Sequence, residues 1–136
     1  YLVSASLLHD IGKVKELSGF TVVNYTLQGN LIGHISLGSM MVYEEGRKEK
    51  MDEEKLTVLI HMILAHHGEY EFGSPKKPMT REAYVLHVLD DLDAKMECLR
   101  GSMDATEDGG FTPRVPWMDN SVFYKPLPLD KDKPAK

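Results

Sequence analysis

Histidines and aspartates are dispersed along this chain in a way that suits metal chemistry. They are His9-Asp10 in LLHDIGK, His34 in LIGHISLG, His66-His67 in ILAHHGEYEFGSP, and an aspartate of VLHVLDDLDAK. Imidazole nitrogen and carboxylate oxygen together suit one or two divalent transition ions such as Mn, Fe, Co, Ni or Zn. The chemistry expected of such a set is metal-assisted attack of water on a phosphoester.

These donors need elements to bring them together. Leu2, Ala5, Leu8 and Ile11 share one apolar face and predict a helix over 2–12, ended by Gly12. From 13 to 27 the β-branched TVVNYTL segment predicts a loop with a short hairpin. Leu31, Ile32, Ile35, Leu37, Met41 and Val42 predict a helix over 30–49, with Gly33 and Gly38 allowing close packing. Asp52 is an N-cap, with Glu53 and Glu54 behind it, for a helix over 52–67 that stops at Gly68. Thr80 caps a fourth helix over 80–100, closed by Gly101. FTPRVPWMDNSVFYKPLPLD reads as an extended arm or β-hairpin on the helices. The fold class expected is all-α, a helical bundle with a short irregular or hairpin arm. The domain covers 1–125, and 126–136 is a disordered tail.

Each donor also has a plainer reading. His9 can be a satisfied core histidine and Asp10 a loop residue. His34 alone is a weak signal. His66 and His67 point about 100° apart at a helix end, so one can enter a site while the other lines it. His61 does not share that face and reads as structural or surface. Asp90, Asp91 and Asp93 can form a solvated face. Their flanks VLHVL and LxAKM are apolar, so at least one carboxylate turns inward and needs a cation or donor. The joint argument is stronger: several helices each place a His or Asp where a bundle core lies, and bundle cores hold such sites.

Composition sets the frame. A chain of 136 residues with 42% hydrophobic content is long enough for one domain with a core. No apolar run reaches the length of a membrane span. The single cysteine, Cys98, excludes an internal disulfide and fits a reducing cytoplasm; on its apolar stretch it reads as a buried filler. A net charge of −5 gives no global attraction for nucleic acid. Tyr1 opens an uncapped apolar helix, which leads us to expect a piece of a longer domain whose upstream helix is missing. The face around Leu2, Ala5 and Leu8 is then expected to be exposed and to drive formation of a homo-oligomer.

At these residues the chain resembles the HD-domain metal-dependent phosphohydrolases, whose pattern is H…HD…H…H…D. More narrowly, LLHDIGK, YTLQGNLIGHISLG, ILAHHGEYEFGSPKKPMT and VLHVLDDLDAK, in this order, resemble the HD portion of YhaM-type 3′–5′ exoribonucleases. The resemblance covers roughly residues 1–125. It implies metal ligation by His9, Asp10, His34, His66, His67 and Asp90. It selects Asp90 over Asp91, because the family reads D-x-x-D-A there. The family's first metal histidine lies upstream of the doublet, and its OB-like nucleic-acid-binding domain has no counterpart here. An incomplete metal site and little activity are therefore expected of this chain.

The resemblance further implies a cytoplasmic enzyme that cleaves 3′-terminal phosphodiesters and releases nucleoside monophosphates. Manganese is the leading ion. Asp10 would bridge or anchor the metals, and Lys13 would oppose the phosphate charge that grows during attack. Lys76, Lys77 and Arg81 would hold the backbone of single-stranded RNA, with single-stranded DNA a second candidate. Tyr70 and Phe72 are candidates for stacking a base or for packing. Two other functions stay open: a phosphohydrolase acting on small or cyclic nucleotides, and a metal-depleted, non-catalytic binding module.

Overall fold

The computed structural model describes residues 1–19 and 21–128. The chain divides into two compact units, Tyr1–Asp90 and Asp91–Lys136. The first unit contains every candidate site residue. It is helical, as expected, with one two-stranded sheet.

Helix α5 (Glu53–Ala65) is its centre. The Asp52 carboxylate accepts from the Lys55 backbone N at 3.0 Å, and Glu53 and Glu54 favour the first turn. Leu56, Leu59, Met62 and Ile63 recur at helical spacing and are buried. They form one core cluster with Ala5, Val42, Ala83 and Leu86. Those four come from α1 (Leu2–Leu8), α4 (His34–Lys48) and α6 (Arg81–Asp104). The Leu2–Ala5–Leu8 face of α1 is thus covered within the chain; Ala5 is fully buried, and Leu2 and Leu8 pack on the cluster. That overturns the expected exposed face. The apolar residues α1 leaves open are Val3 and Leu7.

The first helix is shorter than expected. It stops at Leu8, and a tight turn follows, closed by Ile11 N to Leu8 O at 3.0 Å and Lys13 N to Asp10 O at 2.9 Å. Helix α2 (Lys13–Glu16) begins where a loop was expected. The expected short hairpin follows as β1 (Leu17–Ser18) and β2 (Asn24–Tyr25), antiparallel, with Leu17 opposite Tyr25. The break at Leu8 sets His9 and Asp10 on a corner. Gly12 lets that corner meet α4 backbone to backbone. A Cβ at Gly12 would lie 1.9 Å from the His34 carbonyl oxygen and 2.7 Å from the Gly38 nitrogen. Gly12→Ala is therefore expected to destabilise the fold by about 3 kcal/mol or more through overpacking, read as a lower denaturant midpoint. A midpoint within error of the parent would contradict this packing.

The single helix expected over 30–49 is two. Helix α3 (Leu27–Leu31) is capped by the Thr26 hydroxyl accepting from Gly29 N at 2.9 Å. Gly33 then adopts φ 79°, a left-handed value that breaks the helix and restarts it as α4. His34 is thereby the first residue of a helix.

Helix α6 opens as expected, with Ala83 N donating to the Thr80 hydroxyl at 3.1 Å. It does not close at Gly101 but runs on to Asp104. A mid-helix glycine costs about 1 kcal/mol, and Arg100 spans it with pairs to Glu97 and Asp104 on one face. Cys98 is exposed, against expectation. The apolar residues of this half form no single stripe: Leu92 and Met96 are also exposed. In the second unit an antiparallel arm follows, with bridges Phe111–Tyr124 and Val115–Ser121 and Lys125 Nζ donating to Thr106 O at 2.8 Å. The expected tail over 126–136 lies outside the described residues from 129 onward. Among the described residues, no helix is long and apolar enough to cross a membrane.

Candidate metal centre

The corner after α1, the start of α4, the end of α5 and residue 90 of α6 bring their polar side chains into one cluster. His9 Nε2 lies 3.5 Å from Asp10 Oδ2 and 3.4 Å from Asp90 Oδ1. Asp10 Oδ1 lies 3.5 Å from His34 Nε2 and 3.8 Å from His66 Nε2. One ligand atom from each of His34, His66 and His67 falls within 4.8 Å of the others. The rings of His66 and His67 are 4.4 Å apart, and His9 and His66 are 5.1 Å apart. All six residues expected as metal donors are thus neighbours. They fall into two overlapping groups that share Asp10.

The ring orientations are not accidental. His9 Nδ1 meets Ser6 O at 2.9 Å, His66 Nδ1 meets Ile63 O at 2.6 Å, and His67 Nδ1 meets Phe72 O at 2.8 Å. A carbonyl only accepts, so each of these Nδ1 atoms carries the proton. His34 Nδ1 meets the Glu16 carboxylate at 3.1 Å, with the same consequence. In the neutral ring, Nε2 then holds a lone pair.

Among the described residues, three buried side-chain atoms have no hydrogen-bond partner: Asp10 Oδ1, His34 Nε2 and His66 Nε2. They are also the atoms that face one another. Two imidazole lone pairs and a carboxylate oxygen converge with no proton between them. Burying such groups unpaired is costly, and a cation is what satisfies all three. The donor set of nitrogen and carboxylate oxygen fits a divalent transition ion.

Electrostatics agree with this arrangement. Burial pushes the His66 imidazole down to about 4, so it is neutral and ready to ligate at neutral pH. The hydrogen bond to Asp90 holds His9 above its usual range, and the same contact holds Asp90 below the usual carboxylate range. Burial works to raise Asp10, but Lys13 outweighs it and holds the carboxyl low. The Lys13 ammonium sits 2.5 Å from Asp10 Oδ2.

These shifts make a pH prediction for the metal-free chain. His66 titrates near its ordinary 6.5 when unfolded and near 4 when folded. Between those values the unfolded state binds more protons, so stability falls as pH drops through that window. The loss is about 3 kcal/mol. His9, with its raised value, stabilises most below 6.5 and loses that contribution as pH rises above it. Asp10 and Asp90 lose theirs only as pH falls below 3.8. Denaturant unfolding at pH 7, 5.5 and 4.5 in a chelator checks this, and a flat profile would contradict it.

One residue was missed in the sequence. Glu16 is only 7% exposed, and its Oε1 accepts from both the backbone N and Nδ1 of His34, at 3.0 and 3.1 Å. It lies six residues after Asp10, but the close pairing of α2 with the start of α4 rests on long-range packing that spacing does not reveal. His61 is structural, as read: its Nε2 accepts from Met79 N at 2.9 Å. Asp91 pairs with Lys95 at 2.6 Å. Among the basic residues expected to hold a backbone, Lys77 is paired with Glu69 and lies 5.5 Å over the Tyr70 ring. Lys76 and Arg81 are exposed.

The HD domain family's sequence pattern matches residues 1–95. The chain is 44% identical over 126 residues to the 3'-5' exoribonuclease YhaM of Bacillus licheniformis, covering 93% of this chain and 40% of that protein. It is 45% identical over 125 residues to the proteins of the same name from Shouchella clausii and Bacillus subtilis, covering 92% of this chain and 39% and 40% of theirs. The chain therefore spans about 40% of the length of the curated relatives it matches. No solved structure matches it. The family pattern takes in the HD doublet on its corner, the later histidine stations and Asp90, and the chain belongs to the HD domain family.

Proposed function

We propose that this chain is the catalytic part of a metal-dependent phosphohydrolase, and that its substrate is a phosphodiester at the 3′ end of single-stranded RNA. The observation that carries the first half is the convergence of Asp10 Oδ1, His34 Nε2 and His66 Nε2, all buried and unpartnered. The second half is supported by the relatives named 3'-5' exoribonuclease.

Asp10, His34, His66 and His67 would hold one divalent ion, and His9, Asp10 and Asp90 would supply ligands for another. When bound, such an ion supplies Lewis acidity and makes an attacking water available at neutral pH. Manganese is the ion we assign first. The residues do the rest. Glu16 and the carbonyls of Ile63 and Phe72 fix which ring nitrogen carries the proton in His34, His66 and His67, so those three Nε2 atoms are free to ligate. Asp10 supplies negative charge at the junction of the two groups. Lys13, already beside Asp10, opposes the charge that grows on the phosphoryl oxygens. Exposed Lys76 and Arg81 would meet the RNA backbone, while Lys77 already has a carboxylate partner.

The test is hydrolysis of a short single-stranded oligoribonucleotide labelled at its 3′ or 5′ end, with manganese present. The 3′ label is expected to leave at once as a mononucleotide, and the 5′ label to shorten stepwise. Release of the 5′ label first, or cleavage only of small cyclic nucleotides, would contradict the reading.

A further inference from the structure

Beside the cluster lies a cavity of about 200 Å³ lined by Ile32, Gly33, His34, Ile35, Ser36, His67, Phe72 and Gly73. It adjoins the centre through His34 and His67, which are the only titratable side chains in its wall. Everything else there is apolar, hydroxyl or bare backbone. A side chain built at Gly33 or Gly73 would meet nothing within 4 Å, so the space beside both is open. Phe72 is 61% exposed, so a face of its ring is open to a ligand.

We propose that this cavity receives the base of the 3′-terminal nucleotide, stacked on Phe72. The proposal rests on the reading above and adds the place where the departing nucleoside is held. Beyond its two ligand histidines the wall holds no acidic or basic side chain, which suits the uncharged end of a nucleotide; the phosphate belongs on the other side of those histidines, with Lys13 and Asp10. The volume is below the roughly 300 Å³ of drug-sized sites, so it suits one nucleoside and not a stacked run. Aromatic stacking of this kind tolerates any base, because every base has a π-face. Tyr70, the other aromatic of the same turn, is not equivalent: the Lys77 ammonium already lies over its ring. Phe72 also sits where the site needs it, because its carbonyl accepts from His67 Nδ1 at 2.8 Å. The ring and the ligand histidine are held by one short segment.

The test compares AMP with ribose 5-phosphate, which carries the same phosphate and sugar without a base. Both are titrated calorimetrically into the manganese-loaded chain, into Phe72→Ala and into Phe72→Trp. AMP is expected to bind roughly ten- to hundredfold more tightly than ribose 5-phosphate. Phe72→Ala should erase that difference, and Phe72→Trp should keep it. Because the ring is exposed, both variants should keep the parent's thermal midpoint. Equal affinity of the two ligands for the parent chain, a preference that survives Phe72→Ala, or no AMP binding would overturn the subsite. Cleavage of the end-labelled oligoribonucleotide is read on the same samples. If cleavage proceeds without a Phe72-dependent base preference, only the subsite fails. If the base preference appears without cleavage, the exonuclease reading fails and the subsite stands.

Discussion

Asp10→Asn is expected to weaken divalent metal binding by about 100-fold or more and to reduce phosphodiester hydrolysis at least as much. Substitutions one layer out from a metal typically cost 10- to 100-fold, and Asp10 is the residue both groups of donors share. Asparagine keeps the size and one oxygen of the side chain but not the charge. Without that charge, Oδ1 no longer draws a cation to the lone pairs of His34 and His66, 3.5 and 3.8 Å away. The Lys13 ammonium also loses its partner. The control is Asp91→Asn, on a neighbouring carboxylate that pairs with Lys95 instead. Calorimetric titration with manganese should show the loss for the first variant and parent-like binding for the second. Equal behaviour of the two would show that Asp10 is not the shared donor.

Glu16→Ala is expected to have the next largest effect, on a residue the metal does not touch. Its carboxylate accepts two hydrogen bonds from His34 and thereby sets both the ring's position and its proton. Alanine leaves a helix-start N–H and a ring N–H without their acceptor, at a cost of about 1–3 kcal/mol in stability. The ring then turns or takes the other tautomer, and metal affinity should drop about 10- to 100-fold. Glu16→Gln keeps a carbonyl oxygen in place and should restore most of the affinity. A purely structural role would lower the unfolding midpoint in alanine while leaving manganese affinity alone, and that outcome would refute the positioning role.

How much of this was legible beforehand depends on the range of the interaction. Helix α5 was readable because its cap, its acidic first turn and its buried Leu56, Leu59, Met62 and Ile63 are all local signals. The breaks at Leu8 and Gly33 were not, because apolar spacing runs across both. What decides them is the backbone contact between Gly12 and α4, and the left-handed φ at Gly33. The same contact places Asp10 opposite His34. The donor types were visible as HD, H and HH, since no core needs so many imidazoles. Their partition into two groups, and the carboxylate of Glu16 behind His34, depend on tertiary packing and carry no sequence period. Cys98 misled because apolar neighbours in a helix predict burial only when they share a stripe.

The central claim is that Asp10, His34 and His66 converge on a cation. Anomalous diffraction from crystals of the chain soaked in manganese tests it most directly. The account predicts a peak within ligating distance of Asp10 Oδ1, His34 Nε2 and His66 Nε2, with none at Asp91. A manganese peak confined to surface carboxylates, with those three atoms satisfied by water or by one another, would contradict it.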